Sequence, residues 1–255
     1  MVRVILSGCS GRMGQVITGL AAEDDTLEIV AGIDLFEGEK KGYPVFKDFL
    51  SCDVPADVIV DFSSPKAFDA MMDYSVSHHV PVVVCTTGLD EKALARLERE
   101  SEKVAVLRSA NMSLGINLLM KLVKDAAKIL AGAGFDIEIV ESHHNRKKDA
   151  PSGTALALAD SINEAMDHRY HYVYDRSGRY EQREKSEIGI SAVRGGSIVG
   201  DHEVIFAGTD EVITLQHTAY SRAIFAKGAL AAARFLAGKE SGYYNMSDVI
   251  GEQTA

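Results

Sequence analysis

The chain lacks tryptophan altogether and carries only three cysteines among its 255 residues. With no indole available, binding and chemistry must rest on other groups. Cys9, Cys52 and Cys85 are odd in number and show no C-x-x-C spacing. Reduced, mostly buried thiols are expected, and no zinc site. Long apolar runs are missing too, since none approaches the roughly 18 residues needed to span a bilayer. The start, "MVRVILSGCSG", breaks its apolar run at Gly and Ser too early for a signal segment. A soluble, cytoplasmic protein with no membrane partner is expected. Positive charge is in deficit. A formal net charge of −10 argues against a nucleic-acid partner, whose footprint would be basic.

What is present reads as an α/β protein. Hydrophobic residues make up 46% and charged residues 25% of the chain, an ordinary globular balance. The length suits one large domain or two smaller ones. Short apolar segments at 2–7, 27–34, 57–62, 80–85 and 104–109 alternate with helical patterns. The first such pattern repeats Met13, Val16, Ile17, Leu20 and Ala21 on one face. Helices are also expected at 65–78, begun by Pro65, and at 90–103. Strands alternating with helices imply a Rossmann-type, doubly wound parallel sheet.

After residue 113 the texture changes. An amphipathic helix is expected over 113–131, with Ile116, Leu119, Met120, Val123, Ala127 and Leu130 on one face. "FDIEIVES" alternates apolar and acidic residues, which predicts a strand with one wet face. A helix follows at about 152–166. The polar stretch 167–187 reads as an excursion loop. "IGISAVR", "HEVIFAG" and "EVITLQHTA" come with no helix between them, so antiparallel pairing is expected. A last helix spans 222–238 and stops at Gly238. This second part reads as an α+β domain.

Two places carry chemistry. "GCSGRMG" places Gly8, Gly11 and Gly14 between a strand and a helix. Small residues there let backbone approach a pyrophosphate at a helix N-terminus. Asp34 lies 20 residues past Gly14, where a carboxylate accepts bonds from the ribose hydroxyls of an adenosine. Leu35 and Phe36 follow, with no adjacent base to welcome a 2′-phosphate, and Lys40 and Lys41 only further on. NADH is the expected cofactor, with NADPH as the alternative. "CTTG" at 85–88 and "SANMSLG" at 109–115 fall at the ends of later strands. They suit a nicotinamide ribose or plain loop capping equally well, Ser113 being a fair N-cap.

The other place is "ESHHNRKKDAPSGTA". In a chain of negative charge, His143, His144, Arg146, Lys147 and Lys148 crowd together. A lysine offers charge and a proton, a histidine a donor or acceptor near neutral pH. "PSGT" then supplies a turn and a helix start able to hold a carboxylate. An anion-binding, proton-donating site and a solvated charge run are both open on these residues alone. An amino-acid dehydrogenase of similar layout and an NADH-sensing regulator are rival readings. The regulator would need a DNA-binding module, and the chain shows no basic helix for one.

These motifs, with "RGGSIVGDHEV" and "GKESGYYNMSDV", stand in the order found in the dihydrodipicolinate reductase family, and the chain resembles it over nearly its whole length. "HHNRKKDAPSGTA" is similar to that family's most specific signature. The resemblance implies NAD(P)H-dependent reduction of 4-hydroxy-tetrahydrodipicolinate to tetrahydrodipicolinate, in diaminopimelate and lysine synthesis. It implies His143 and Lys147 as catalytic proton-transfer groups. It implies His144, Ser152, Gly153 and Thr154 as contacts of a cyclic dicarboxylate substrate. Gly8, Cys9, Ser10, Gly11, Arg12, Met13, Asp34, Cys85, Thr86, Thr87, Ser109, Ala110, Asn111 and Met112 match cofactor contacts. The family fold implies a dinucleotide-binding domain of 1–114 with 222–255, and a substrate domain of 115–221 whose mixed sheet builds a homotetramer. Cys85 stands where the family commonly has Gly, and Met112 where it has Phe. Asp34-Leu35 lacks the acid-Arg pair of dual-specificity members, in keeping with NADH.

Overall fold

The computed structural model describes residues 1–36 and 41–252. Contacts divide the chain into two compact units, 1–114 with 223–255, and 115–222.

The first unit holds strands β1 (Val2–Ser7), β2 (Leu27–Ile33), β3 (Val45–Phe46), β4 (Val58–Asp61), β5 (Val82–Val84) and β6 (Ala105–Arg108). Helices α1 (Arg12–Ala22), α2 (Phe68–His78) and α3 (Glu91–Glu100) connect them. The segment expected as one helix from 65 begins as a 3-10 turn, Pro65–Ala67, with proline at its first position. A further strand, β12 (Gly242–Tyr244), arrives from far along the chain, so the sheet order is 12-6-5-4-1-2-3, parallel throughout. Both faces are covered. Val4, Leu6, Val58 and Val60 face one core cluster, and Ile5, Ile59, Val82 and Val84 face the other. Val16, expected on the buried face of α1, is exposed, while Gly14 takes a buried place.

The second unit begins with α4 (Leu114–Leu130), then β7 (Asp136–His143), α5 (Gly153–Ala165), β8 (His171–Val173), β9 (Glu187–Arg194), β10 (Gly200–Ala207) and β11 (Val212–Ala219). Its sheet runs in the order 11-10-7-9-8. The sheet is mixed, as the resemblance implied, and the antiparallel pairing expected of the three late segments holds only for β10 with β11. β10 pairs antiparallel with β11, but β9 pairs parallel with β7, which lies between β9 and β10. The short connection 195–199 crosses the end of β7. Gly195 N–H donates to His143 C=O at 2.9 Å, and Asn145 N–H to Gly196 C=O at 3.2 Å. The stretch expected as a loop at 167–187 contains β8, which is parallel to β9. One face of β7 is half-exposed, as its alternation predicts, and the acids on it are paired: Arg176 and Arg183 with Glu138, Arg183 and Lys185 with Asp136.

The chain then returns to the first unit through α6 (Ala223–Leu236), β12 (Gly242–Tyr244) and α7 (Met246–Glu252). The alanines of α6 have a cause. Ala226, Ala229, Ala232 and Ala233 are fully buried against the sheet, and a Cβ on Gly228 would sit 1.7 Å from the Met112 carbonyl oxygen. Only small residues permit that approach. Among the described residues, no helix is long and apolar enough to cross a membrane.

Candidate active site

In the first unit the glycine turn is built for close backbone approach. Gly8 has φ +78°, and a Cβ there would lie 2.6 Å from the Phe62 carbonyl oxygen. A Cβ on Gly14 would lie 2.3 Å from Gly8 O. Gly11 caps α1 with no side-chain bond, and no acid stands in the first turn. The free N–H groups and positive end of the helix dipole therefore remain open to an anion. Ser10 and Arg12 border this end, and Arg12 is exposed. Asp34 is held by both oxygens: Ser10 N–H donates to Oδ2 at 2.9 Å and Phe36 N–H to Oδ1 at 3.1 Å. Each oxygen keeps acceptor capacity for a ribose hydroxyl. Leu35 and Phe36 are 77% and 76% exposed beside it. Lys40 lies outside the described residues.

Not every expected contact offers a side chain. Cys9 is fully buried, Met112 nearly so, and Met13 packs on the same core, so Cys9 and Met112 have only backbone to offer. Cys85 is half-buried after β5; burial first, then the charge of Asp61, pushes its thiol well above the ordinary range. Thr86 Oγ1 is buried with no hydrogen-bond partner, as are Ser7 Oγ and Asp61 Oδ2 at the ends of β1 and β4. Thr87 and Ala110 are exposed, and Ser109 and Asn111 half-exposed. Asn111 Oδ1 accepts from Ser113 N–H at 2.9 Å ahead of α4. A backbone cradle, an open helix start, an anchored acid and an unpaired hydroxyl fit a dinucleotide.

In the second unit one face of the sheet changes character along its length. Ile137, Ile139, Val204, Phe206, Ile188 and Ile190 form its core with α4 and α5. Two residues further on, β7 and β10 turn polar, at Glu141 then His143 and at His202, and on β9 Arg194 follows four residues past Ile190. Glu141 is fully buried. Its Oε1 accepts from Arg194 Nη2 at 2.7 Å and from Ser152 N–H at 2.9 Å; its Oε2 accepts from Arg194 Nη1 at 2.7 Å and lies 2.6 Å from His143 Nδ1. Burial opposes the charge of Glu141, but the bonds from Arg194, His143 and Ser152 outweigh it and hold the carboxyl below its ordinary range. An isoleucine here would contribute about 1.5–3 kcal/mol by burial. A buried ion pair rarely stabilises more than the apolar residues it displaces, so this group is not explained by stability.

The expected residues lie at the end of β7, in the turn after it and at the start of α5. His143 ends β7 and is 8% exposed. The segment after it is a turn rather than a helix, with Lys147 N–H donating to His144 C=O at 3.1 Å. Lys147 Nζ rests 2.9 Å from Asp149 Oδ2, its side chain 21% exposed. His144 Nδ1 is buried without a partner. Burial, then the charges of Arg222 and Arg146, lower its pKa, so it is neutral at pH 7. Ser152 caps α5 through Ala155 N–H at 3.1 Å, and its hydroxyl meets His202 Nε2 at 3.0 Å. Gly153 is exposed in the first turn of α5, with Thr154 next to it. Sequence reasoning missed Glu141, Arg194 and His202. The signal was present: in "IEIVES" Val140 takes the polar phase and Glu141 the apolar one.

Comparison with known proteins decides what this arrangement belongs to. Residues 2–112 match the family described as dihydrodipicolinate reductase, N-terminus, and residues 115–250 the one described as its C-terminus. The chain belongs to the dihydrodipicolinate reductase family. It is an oxidoreductase, and its first unit is of the NAD(P)-binding Rossmann type. The 4-hydroxy-tetrahydrodipicolinate reductases of Caldanaerobacter subterraneus subsp. tengcongensis and Clostridium novyi are each 51% identical to it over 250 residues, covering 98% of this chain and 98% of theirs. A dipicolinate-bound dihydrodipicolinate reductase from Paenisporosarcina sp. TG-14 superposes with a TM-score of 0.80 at 26% identity, covering 96% of this chain and 97% of that one. A probable dehydrogenase from Thermotoga maritima shares the fold alone, at 13% identity and a TM-score of 0.62.

The polar end of the second unit's sheet has an acid-stability signature. Burial first, then the charge of His143, lowers the pKa of His202 to about 4. Unfolded, a histidine titrates near 6.5. Between those values the unfolded chain binds the extra proton, so stability falls as pH drops from about 6.5 through 4, by on the order of 3 kcal/mol. Urea denaturation at pH 7.5 and pH 4.5 measures the loss. His202→Gln should show a smaller one.

Proposed function

We propose that the polar end of the second unit's sheet is where this reductase holds 4-hydroxy-tetrahydrodipicolinate, with Lys147 and His143 as its proton-transfer groups. The reaction is reduction of that compound to tetrahydrodipicolinate, in diaminopimelate and lysine synthesis. NADH, when bound, supplies the hydride. The chain's own residues do the rest. N–H groups of Gly153 and Thr154, at the start of α5, hold one carboxylate of the ring. His144, neutral, hydrogen-bonds the substrate. The 4-hydroxyl leaves as water with a proton from the neighbouring ring carbon, giving a conjugated acceptor; hydride adds to that system, negative charge develops on the enamine side, and Lys147, assisted by His143, donates the proton that quenches it. Charge-assisted bonds to a dianion also fix the ring's orientation.

The observation that carries this reading is that one buried carboxylate, Glu141, holds both His143 and the cap of α5, while its partner Arg194 also bonds the Asp149 carbonyl in the loop that carries His144 and Lys147. A local excess of positive charge in a chain of net charge −10 is what a dianionic substrate requires. His143→Ala tests it: kcat for NADH oxidation with the cyclic substrate should fall roughly 10²-fold or more, with NADH affinity unchanged. Unchanged turnover would refute the role.

NADH preference over NADPH belongs to the same proposal and rests on Asp34 and its apolar neighbours. Asp34→Ala should weaken NADH roughly 10- to 100-fold, the worth of hydrogen bonds to a charged group, and NADPH much less. Titration of both nucleotides side by side measures it. Equal effects on the two would remove Asp34 from the selection. A cytoplasmic homotetramer completes the reading. The exposed Val193, Val212 and Ile213 on the second unit's sheet support a subunit contact, and sedimentation of the purified protein tests it.

A further inference from the structure

We propose that Glu141 is a positioning residue of the reductase: clamped by Arg194, its carboxylate fixes His143 with the proton on Nδ1 and couples that histidine to the substrate-holding turn of α5. This rests on the reading above, in which His143 and residues 152–154 face the substrate.

The argument is one of donors and acceptors. An ionised carboxylate only accepts hydrogen bonds. Three of its four close partners are donors without choice: Arg194 Nη1, Arg194 Nη2 and Ser152 N–H. The fourth, His143 Nδ1, lies 2.6 Å from Oε2. A lone pair at that distance from a carboxylate is repulsive, so Nδ1 carries hydrogen whether the ring is neutral or charged. Nε2 is then the atom whose protonation changes.

The Nε2 side of the ring borders a residue with no side chain. Nε2 faces Gly200, where a Cβ would lie 3.1 Å away. The His202 ring meets His143 edge-on at 5.1 Å between centroids, while its own Nε2 is taken by Ser152 Oγ. The same Glu141 oxygen that accepts from Ser152 fixes the residue capping α5. Arg194 Nη2 also donates to Asp149 C=O at 2.7 Å, in the loop that carries Lys147. One buried carboxylate thus sets the register of the histidine, the anion-holding turn and, through its arginine, the lysine loop.

Glu141→Gln keeps the shape and removes one acceptor. With the amide oxygen kept by Ser152 N–H and Arg194 Nη2, the NH₂ group takes the place of Oε2, forgoes the bond from Arg194 Nη1 and donates to His143 Nδ1, moving the ring proton to Nε2. Nitrogen-15 NMR of histidine-labelled protein at neutral pH reads this directly. The wild type should show His143 protonated at Nδ1, and Glu141→Gln should show it at Nε2. The kcat of Glu141→Gln should fall roughly 10²-fold or more, in line with tautomer loss in other acid–histidine pairs, with KM for NADH unchanged. In a His143→Ala background, Glu141→Gln should cost much less turnover than it does in the wild type. A wild-type His143 protonated at Nε2 alone would overturn the proposal, even if the variant does not fold. So would an undiminished kcat in Glu141→Gln, or additive losses in the double variant. If His143→Ala itself leaves kcat intact, the parent reading fails instead.

Discussion

Lys147→Met lowers kcat by roughly 10²- to 10⁴-fold, the span contributed by a positioned general acid, and leaves NADH affinity within twofold or so. The expectation follows from where the amine sits. Lys147 is mostly buried in a turn whose backbone is fixed at both ends, by its own N–H to His144 C=O and by Arg194 to Asp149 C=O. Its ammonium is held by Asp149, whose carboxyl that hydrogen bond draws below its ordinary range. Methionine preserves the apolar stem of the side chain out to Cε and removes the amine, with its proton, its charge and its bond to Asp149. No part of the dinucleotide turn contains it. Rapid-mixing kinetics with the cyclic substrate give kcat, and fluorescence titration gives NADH affinity. Equal losses in both would mean that the turn had collapsed rather than lost an acid. The loss of a cation should also raise KM for the dianionic substrate several-fold.

Gly14→Ala abolishes useful NADH binding, with a loss of roughly 10²-fold or more, equivalent to about 3 kcal/mol. The new methyl would fall 2.3 Å from Gly8 O and 2.5 Å from Cys9 O. Both are backbone atoms, so no rotamer relieves the clash. α1 must withdraw from the turn, and the N–H groups at its start leave the place where a pyrophosphate would meet them. Overpacking of this kind also costs about 1–3 kcal/mol of stability. Pyridine-2,6-dicarboxylate binding measured without nucleotide should be unaffected, because the strain is confined to the first unit. Unchanged NADH affinity would show that the cradle is not the pyrophosphate site.

These residues differ in how openly the sequence declares them. The glycine turn is legible because only glycine meets its demands, a positive φ at Gly8 and contact distance at Gly14. α4 is legible because its apolar stripe keeps period over four turns. β12 is three residues long and attaches by pairing with β6, so no periodicity marks it. β8 hides in a polar stretch whose order comes from ion pairs. Glu187 is drawn down to about 2: burial opposes its charge, but Arg179 and Arg176 more than offset that. The placing of β9 is set by a tertiary crossing over the end of β7, and segment spacing carries no trace of it. Glu141 sat in plain sight, but an acid in the apolar phase of a strand gains meaning only when its partners, 53 residues away at Arg194 and 11 away at Ser152, are known.

The most direct test is a crystal structure with NAD⁺ and pyridine-2,6-dicarboxylate bound. One carboxylate should lie on the N–H groups of Gly153 and Thr154, and Lys147 Nζ should stand within about 3 Å of a ring substituent or an oxygen of the ligand. A ligand seated away from α5, with Lys147 still turned to Asp149 and water, would contradict the account.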